Sequence, residues 1–246
     1  MEIIIRSDIG QKRSSNQDFA ATFENQANIP LLILADGMGG HQAGDLASRS
    51  TVEDIGALWQ TTDLADPEKT ASWLVQTIQR ENQVIYNKGQ EQMQTTGMGT
   101  TIVASGIFDK NYIIAHVGDS RAYLLRQGRL NQLTEDHSLV NELVRQGEIT
   151  KEMAATHPRR NVLTRSVGMP GDVAVDVTDV AAFPEDILLI ASDGLTNMIT
   201  EAEIAEILAN GHSLADRADE LIRRANEQGG VDNITVLLCE RGGHEQ

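Results

Sequence analysis

Leu31 to Gly44, LLILADGMGGHQAG, sets a run of apolar residues against an Asp-Gly pair and then a tract too rich in glycine for a core element. A short apolar run closed by turn residues reads as a strand buried on both faces. Asp-Gly alone is an ordinary way to turn a chain after a strand. The junction recurs, however, in YIIAHVGDSR (Tyr112 to Arg121), in ILLIASDGL (Ile187 to Leu195) and where Val231-Asp232-Asn233 opens onto ITVLL. Four buried-type strands each carry an aspartate at one end, a pattern that one turn does not explain.

Outward from these strands, Met1 to Asp8 reads as a strand, and Gly44 to Gln60 and Pro67 to Lys88 read as helices, the second with Leu74, Ile78 and Ile85 on one face. Thr100 to Phe108, Asn111 to Gly118 and Ala122 to Arg126 are strands at hairpin spacing, which favours antiparallel pairing over βαβ units. Ser138 to Gln146 and Thr150 to Thr156 read as helical, followed by a basic, turn-rich HPRRN, and together they resemble a flap inserted between strands. Val173 to Phe183 and Ile187 to Ala191 return to strand, Thr200 to Asn210 and Ser213 to Gln228 to helix, and Asn233 to Glu240 to strand. Strand groups with helices between them predict layered sheets with helices packed outside. The expected organisation is a single domain over residues 1–241, with the insertion at about 139–166 and a short tail at 242–246.

The chain has 246 residues and a formal net charge of -16, which disfavours nucleic acid and anionic membrane surfaces as partners. No apolar run approaches the roughly 20 residues that span a bilayer, and no secretory leader pattern opens the chain. The only cysteine, Cys239, sits in ITVLLC, where it reads as a buried inert thiol and allows no intramolecular disulfide. A soluble cytoplasmic protein is expected.

Carboxylate oxygens, a backbone carbonyl beside glycine and water are the ligands that hard divalent cations such as Mg²⁺ or Mn²⁺ take. Aspartates gathered at one sheet edge would repel one another unless a cation neutralised them. The alternative is that each aspartate caps its own turn. Arg13, beside Asn16 and Asp18 in GQKRSSNQDF, is either a solvated charge or a fork for phosphate oxygens. A GxGxxG dinucleotide loop, a P-loop and an HExxH zinc motif are all missing from the sequence.

Taken together, RSSNQD (13–18), ADGMGGHQAG (35–44), GTT (99–101), HVGDSRAYL (116–124), LTEDHS (133–138), SDGLTNM (192–198) and GGVDNITV (229–236) resemble the motif series of metal-dependent Ser/Thr protein phosphatases of type 2C. The order and spacing agree over about residues 1–240, and DHSLVNEL, THPRRN and SDGLTNM are most similar to streptococcal and related Gram-positive members of the compact bacterial form. The resemblance implies an α+β fold, a four-layer αββα sandwich of two antiparallel sheets flanked by antiparallel helix pairs, with a dinuclear metal centre at one end. It implies Mn²⁺ or Mg²⁺, two ions bound tightly and a third more weakly. Asp36 would bridge the pair, the Gly37 carbonyl would bind one ion, and Asp193 and Asp232 would complete the direct ligands. Asp18 would act through water, Arg13 would grip phosphate, and Asp119 would hold the third ion with Asp193. The flap would lie beside the site, with Arg159 and Arg160 either facing substrate or solvated.

Met38 stands where eukaryotic members carry a histidine assigned as general acid, so the leaving group must take its proton from water. His41, nearby in sequence, reads as structural. The implied activity is hydrolysis of phosphoserine and phosphothreonine on proteins by a metal-activated water, opposing a eukaryotic-like bacterial Ser/Thr kinase. Two alternatives accompany it: a non-catalytic regulator of the same fold that binds phosphoproteins or metal, and a phosphatase of an anti-sigma-factor antagonist.

Overall fold

The computed structural model describes residues 1–39, 43–91 and 95–242. Strand β3 (Pro30–Met38) shows why its sequence is apolar without a break. Leu31, Ile33 and Ala35 belong to a core that also contains Val52, Ile55, Trp59, Leu74 and Ile78 of two helices, whereas Leu32 and Leu34 pack with Leu188, Ile190 and Leu237 of a second sheet. Because side chains alternate along a strand, one covered by helices on one face and by a sheet on the other must be apolar at every position.

The elements run β1 (Glu2–Asp8), β2 (Asp18–Glu24), β3, α1 (Ala43–Gln60), α2 (Pro67–Glu91), β4 (Gly99–Thr100), β5 (Ile102–Ile107), β6 (Asn111–Val117), β7 (Arg121–Arg126) and β8 (Arg129–Gln132). They continue with α3 (Leu139–Arg145), α4 (Lys151–Ala155), β9 (Asp176–Ala181), β10 (Ile187–Ala191), α5 (Asp193–Thr196), α6 (Glu201–Ala209), α7 (Leu214–Glu227) and β11 (Ile234–Glu240). One sheet has the order β1-β11-β10-β7-β8 and the other β2-β3-β5-β6-β9, with β4 pairing β3. All the strand pairs are antiparallel.

Helices α1 and α2 cover the second sheet, and α6 and α7 cover the first, through the core of Leu189, Ala191, Ile204, Leu208, Leu221 and Val236. These layers are the αββα sandwich that the motif series implied. The expected helices and strands are present with ends shifted by a few residues. The exceptions are β2, β8 and the single turn α5, which the sequence pattern does not mark, and the stretch from Thr100 to Phe108, which is divided between β4 and β5.

Antiparallel pairing gathers the site. Strands β3 and β10 run toward one end of the sandwich and deliver Asp36 and Asp193 there, while β2, β7 and β11 begin at that end, bringing Asp18, Asp119 and Asp232 to it. The segment 139–166 leaves from the same region and returns to it. Ser138 bridges Leu163, and Val167 then pairs with Thr100.

Candidate active site

The register of β2 on β3 places Asp18 directly opposite Asp36. Asp18 is buried. Its Oδ2 accepts a hydrogen bond from Ser192 Oγ at 2.7 Å, and its Oδ1 has no donor among the described residues. Ser192 Oγ in turn accepts from the Thr235 backbone N–H at 3.0 Å, so one hydroxyl ties Asp18 to β11. The peptide group of Asp36 is fully engaged: its N–H donates to Thr101 Oγ1 at 3.0 Å, and its carbonyl accepts from Thr101 N at 2.9 Å and Thr100 Oγ1 at 2.8 Å. That fixes the direction of the carboxylate.

Gly37 is required sterically. A Cβ there would stand 2.0 Å from the Gly44 carbonyl oxygen and 2.7 Å from that of Gln17. A Cβ on Gly44 would stand 2.8 Å from the Gly37 carbonyl oxygen, so the two glycines together let α1 approach the strand end.

Asp193 opens α5. Its Oδ2 accepts from Asn197 Nδ2 at 3.0 Å, and its Oδ1 is buried without a donor among the described residues. Asp232 Oδ1 accepts from the Asn233 N–H at 2.8 Å, and Oδ2 takes Arg13 Nη2 at 2.5 Å. Arg13 is thus brought to the edge of the cluster while its side chain stays half exposed. Its loop is held by Asn233, whose Oδ1 accepts from Gln17 N at 2.9 Å while Nδ2 donates to the carbonyls of Ile9 and Ser15, each at 2.9 Å.

Asp119 follows Gly118, whose φ of +111° suits glycine and whose added Cβ would meet the Thr101 side chain at 2.6 Å. Ser120 Oγ hydrogen-bonds Thr101 Oγ1 at 2.7 Å, which joins the Asp119 turn to the support of Asp36. Arg121 does not point to solvent. It clasps Asp136 through Nε and Nη2 at 2.8 and 2.6 Å and also reaches the Tyr123 hydroxyl.

The electrostatics follow from this crowding. Burial, then repulsion by Asp193 and Asp232 against the opposing pull of Ser192 and Thr235, pushes Asp18 up to about 7. Burial and then Asp193 push Asp119 to about 7, burial and then Asp232 push Asp193 to about 6, and Asp36 is held well above the carboxylate range by burial and by Asp18, Asp193, Asp119 and Asp232. Acceptor oxygens face one another, and among the described residues two of them, on Asp18 and Asp193, are buried with no donor. An all-oxygen set of this kind fits hard divalent cations, which remove the mutual repulsion.

A different trio, His116, His137 and Asp176, has ligand-type atoms within 4.8 Å of one another; it lies behind Gly118, outside the ring of aspartates.

Met38 is half-buried at the end of β3, with a thioether that has no proton to give. Arg159 and Arg160 are exposed. Arg160 Nη1 donates to the Ala155 carbonyl within the flap at 3.2 Å, and among the described residues neither arginine makes an ion pair. Cys239 is fully buried, and burial raises its thiol to about 11, so it is an inert core side chain. His41 lies outside the described residues. Ser192, Thr100, Thr101 and Asn233 were not singled out by sequence reasoning, although each stands inside one of the quoted motifs.

The family model described as "Protein phosphatase 2C" matches residues 9–238. A putative protein phosphatase 2C-type of Streptococcus pyogenes is 50% identical over 238 residues, covering 97% of this chain and 96% of its own length. The serine/threonine phosphatase stp of Listeria monocytogenes is 49% identical over 242 residues, covering 98% and 96%. Among solved structures, the S. agalactiae serine/threonine phosphatase superposes with a TM-score of 0.95 at 49% identity, over 98% of this chain and 99% of that one. The Mycobacterium tuberculosis phosphatase PstP/Ppp gives 0.85 at 33%, over 98% of each.

Proposed function

The chain belongs to the protein phosphatase 2C family and is a metal-dependent serine/threonine protein phosphatase; from that premise we propose how its own residues divide the work. Asp36, the Gly37 carbonyl, Asp193 and Asp232 hold two divalent cations, Mn²⁺ or Mg²⁺, with Asp18 supporting them through water and Asp119 serving a third, weaker position. Two buried carboxylate oxygens that have no donor among the described residues, Asp18 Oδ1 and Asp193 Oδ1, in a cluster whose neighbours are also acceptors, carry this reading. When bound, such ions supply positive charge toward a phosphate and lower the pKa of water so that hydroxide is available near neutral pH.

Arg13 adds a planar fork of donors at the mouth of the cluster, suited to two oxygens of a phosphoserine or phosphothreonine. Asn233 and Gln17 hold the Arg13 loop to β11, so the guanidinium is presented from a fixed base. Met38 cannot protonate the leaving alkoxide, so that proton must come from solvent, on the side that Asp119 lines. The buried thiol of Cys239 is unfit as a nucleophile, in keeping with direct attack by water.

Phosphoproteins are the substrates, and we assign a cognate Ser/Thr kinase as the activity opposed. No helix among the described residues is long and apolar enough to cross a membrane. A cytoplasmic location is part of the proposal and rests on the single buried cysteine.

Turnover of a phosphothreonine peptide by protein stripped of metal and then titrated with Mn²⁺ or Mg²⁺ tests the reading. Activity should vanish with a chelator and return with the ion, and undiminished turnover by the stripped protein would refute it.

A further inference from the structure

His116, His137 and Asp176 satisfy a distance criterion for metal binding, but their hydrogen bonds point elsewhere. The Gly118 N–H donates to His137 Nδ1 at 3.1 Å. A backbone N–H can only donate, so Nδ1 carries the lone pair and neutral His137 carries its proton on Nε2. That Nε2–H faces Asp176 Oδ2 at 3.2 Å, and a protonated Nε2 has no electron pair for a metal. His116 takes the same tautomer: its Nε2 faces the Glu135 carbonyl at 2.9 Å and must donate. The two rings stack with centroids 4.6 Å apart and planes at 19°. Both are buried and both have pKa values lowered by burial, which suits a stack of neutral rings.

His137 also sits at a structural crossing. Its backbone N–H donates to the Gly118 carbonyl at 2.9 Å, so main chain and side chain together grip both polar groups of one glycine, the residue before Asp119. Its own carbonyl accepts from Thr164 N at 2.8 Å, at the returning end of the flap. The next residue, Ser138, caps α3 and bridges Leu163. Asp176, in register with His116 across β6 and β9, is held on its other oxygen by Arg165 Nη1 at 2.7 Å. The flap therefore leaves and rejoins the sandwich at one histidine, and that histidine holds the turn that presents Asp119.

We propose that His137 is a positioning residue, its tautomer set by Asp176, that pins the Gly118–Asp119 turn to the root of the flap. The inference rests on the role proposed above for Asp119. A small displacement of a reacting group costs a large factor in rate, and Thr101 packs close to Gly118, where an added Cβ would stand 2.6 Å from its side chain. Asp176, His137 and the Gly118 N–H then form a hydrogen-bond relay, with His116 stacked beside it, and not an ion site.

Two substitutions separate the two ends of the ring. In His137→Asn the amide oxygen falls near the place of Nδ1 and can accept from Gly118. In His137→Gln the amide reaches toward Asp176 and leaves the Gly118 N–H without an acceptor. At a temperature where circular dichroism shows both variants folded, His137→Asn should keep kcat on a phosphothreonine peptide within about threefold of the parent, and His137→Gln should lose about tenfold or more with KM little changed, the scale of one buried donor left unpaired. Exchange of the Gly118 amide, read by NMR in metal-free protein, should stay slow in the parent and in His137→Asn and become fast in His137→Gln.

Equal losses in the two variants, or unchanged Gly118 exchange in His137→Gln, would overturn the proposal. So would a Zn²⁺ stoichiometry lower by one ion in Asp176→Asn than in the parent, which would make the trio an ion site. Because exchange is read without turnover, it still reports the clamp if Asp119 proves to have no part in the reaction.

Discussion

The metal-free protein should be destabilised by its own active site as pH rises, and a divalent cation should remove most of that penalty. Asp18 is the clearest case: an ordinary carboxyl near 3.8 is pushed to about 7, first by burial and then by the aspartates around it. Between those two values the folded chain keeps a proton that the unfolded chain has released. Stability contributed by the neutral form is therefore fully present below 3.8 and is lost as pH climbs through about 7. From pH 5 to pH 8 one such group accounts for about 3 kcal/mol. In a chain of this size that corresponds to a fall in Tm on the order of 10 °C. Asp36, Asp119 and Asp193 shift in the same direction, but the four share one cluster and their contributions do not simply add.

His116 and His137 work the other way. Burial lowers both below 6.5, so the folded chain binds fewer protons than the unfolded one, and their contribution is lost as pH falls below 6.5. They stand outside the carboxylate ring, so the difference between Tm with Mg²⁺ and Tm with chelator cancels them. Thermal scans at pH 5, 6, 7 and 8 should show that difference widening with pH. Asp18→Asn, which removes one charge without removing volume, should raise the chelated Tm at pH 8 and flatten its pH slope. A cation-induced shift that stays constant from pH 5 to 8, together with an Asp18→Asn variant no more stable than the parent at pH 8, would refute the argument.

Asp193→Ala and Asp232→Ala should each lower phosphopeptide turnover by about 100-fold or more while circular dichroism shows a retained fold, since loss of a proposed ligand should cost at least as much as loss of a group that supports one. Asp119→Ala should lose far more on a phosphothreonine peptide than on p-nitrophenyl phosphate, whose leaving group is a weak base and gains little from acid assistance; steady-state kinetics on both substrates decides this, and equal losses would remove Asp119 from that step. Gly118→Ala forces a Cβ to 2.6 Å from Thr101 at a φ of +111° and should reduce both Tm and turnover, measurable in one thermal scan and one assay. Cys239→Ser should leave turnover intact and cost about 1–3 kcal/mol in a urea titration, because the hydroxyl is placed in an apolar layer between sheets.

Much of the candidate site was legible because strand-end aspartates announce themselves locally. Asp36, Asp193 and Asp232 each stand within two residues of a run that is apolar or, at Thr235, broken by one hydroxyl, a signature that needs no knowledge of partners. Strand β2 was not legible in the same way: DFAATFE is mostly half-exposed, and its strand character comes from pairing with β3. Strand β8, four residues long and largely exposed, is set by its hairpin with β7. The strand expected over Val173 to Phe183 is confined to Asp176–Ala181, where one face is exposed in alternation, while the residues before it form irregular chain to which Asn82 and Gln83 of α2 donate hydrogen bonds at Met169 and Gly171.

What the sequence determined by itself was the inventory: which strands are buried on both faces, where carboxylates and glycines stand at their ends, and, through the series of motifs, the family and its αββα layers. Those features are local in the chain, because burial pattern and steric freedom are written residue by residue. What only the tertiary structure decided was which partners those groups meet. Ser192 reaches Asp18, Asn233 ties down the Arg13 loop, Thr101 joins Asp36 to Ser120, and His137 grips Gly118 while receiving Thr164. Each of these is a hydrogen bond between segments brought together by antiparallel pairing and sheet stacking, and a donor or acceptor in a sequence does not reveal its partner until the backbone directions are fixed. The raised pKa values of the aspartates belong to the same class, since repulsion and burial arise only when the strand ends converge on one edge of the sandwich.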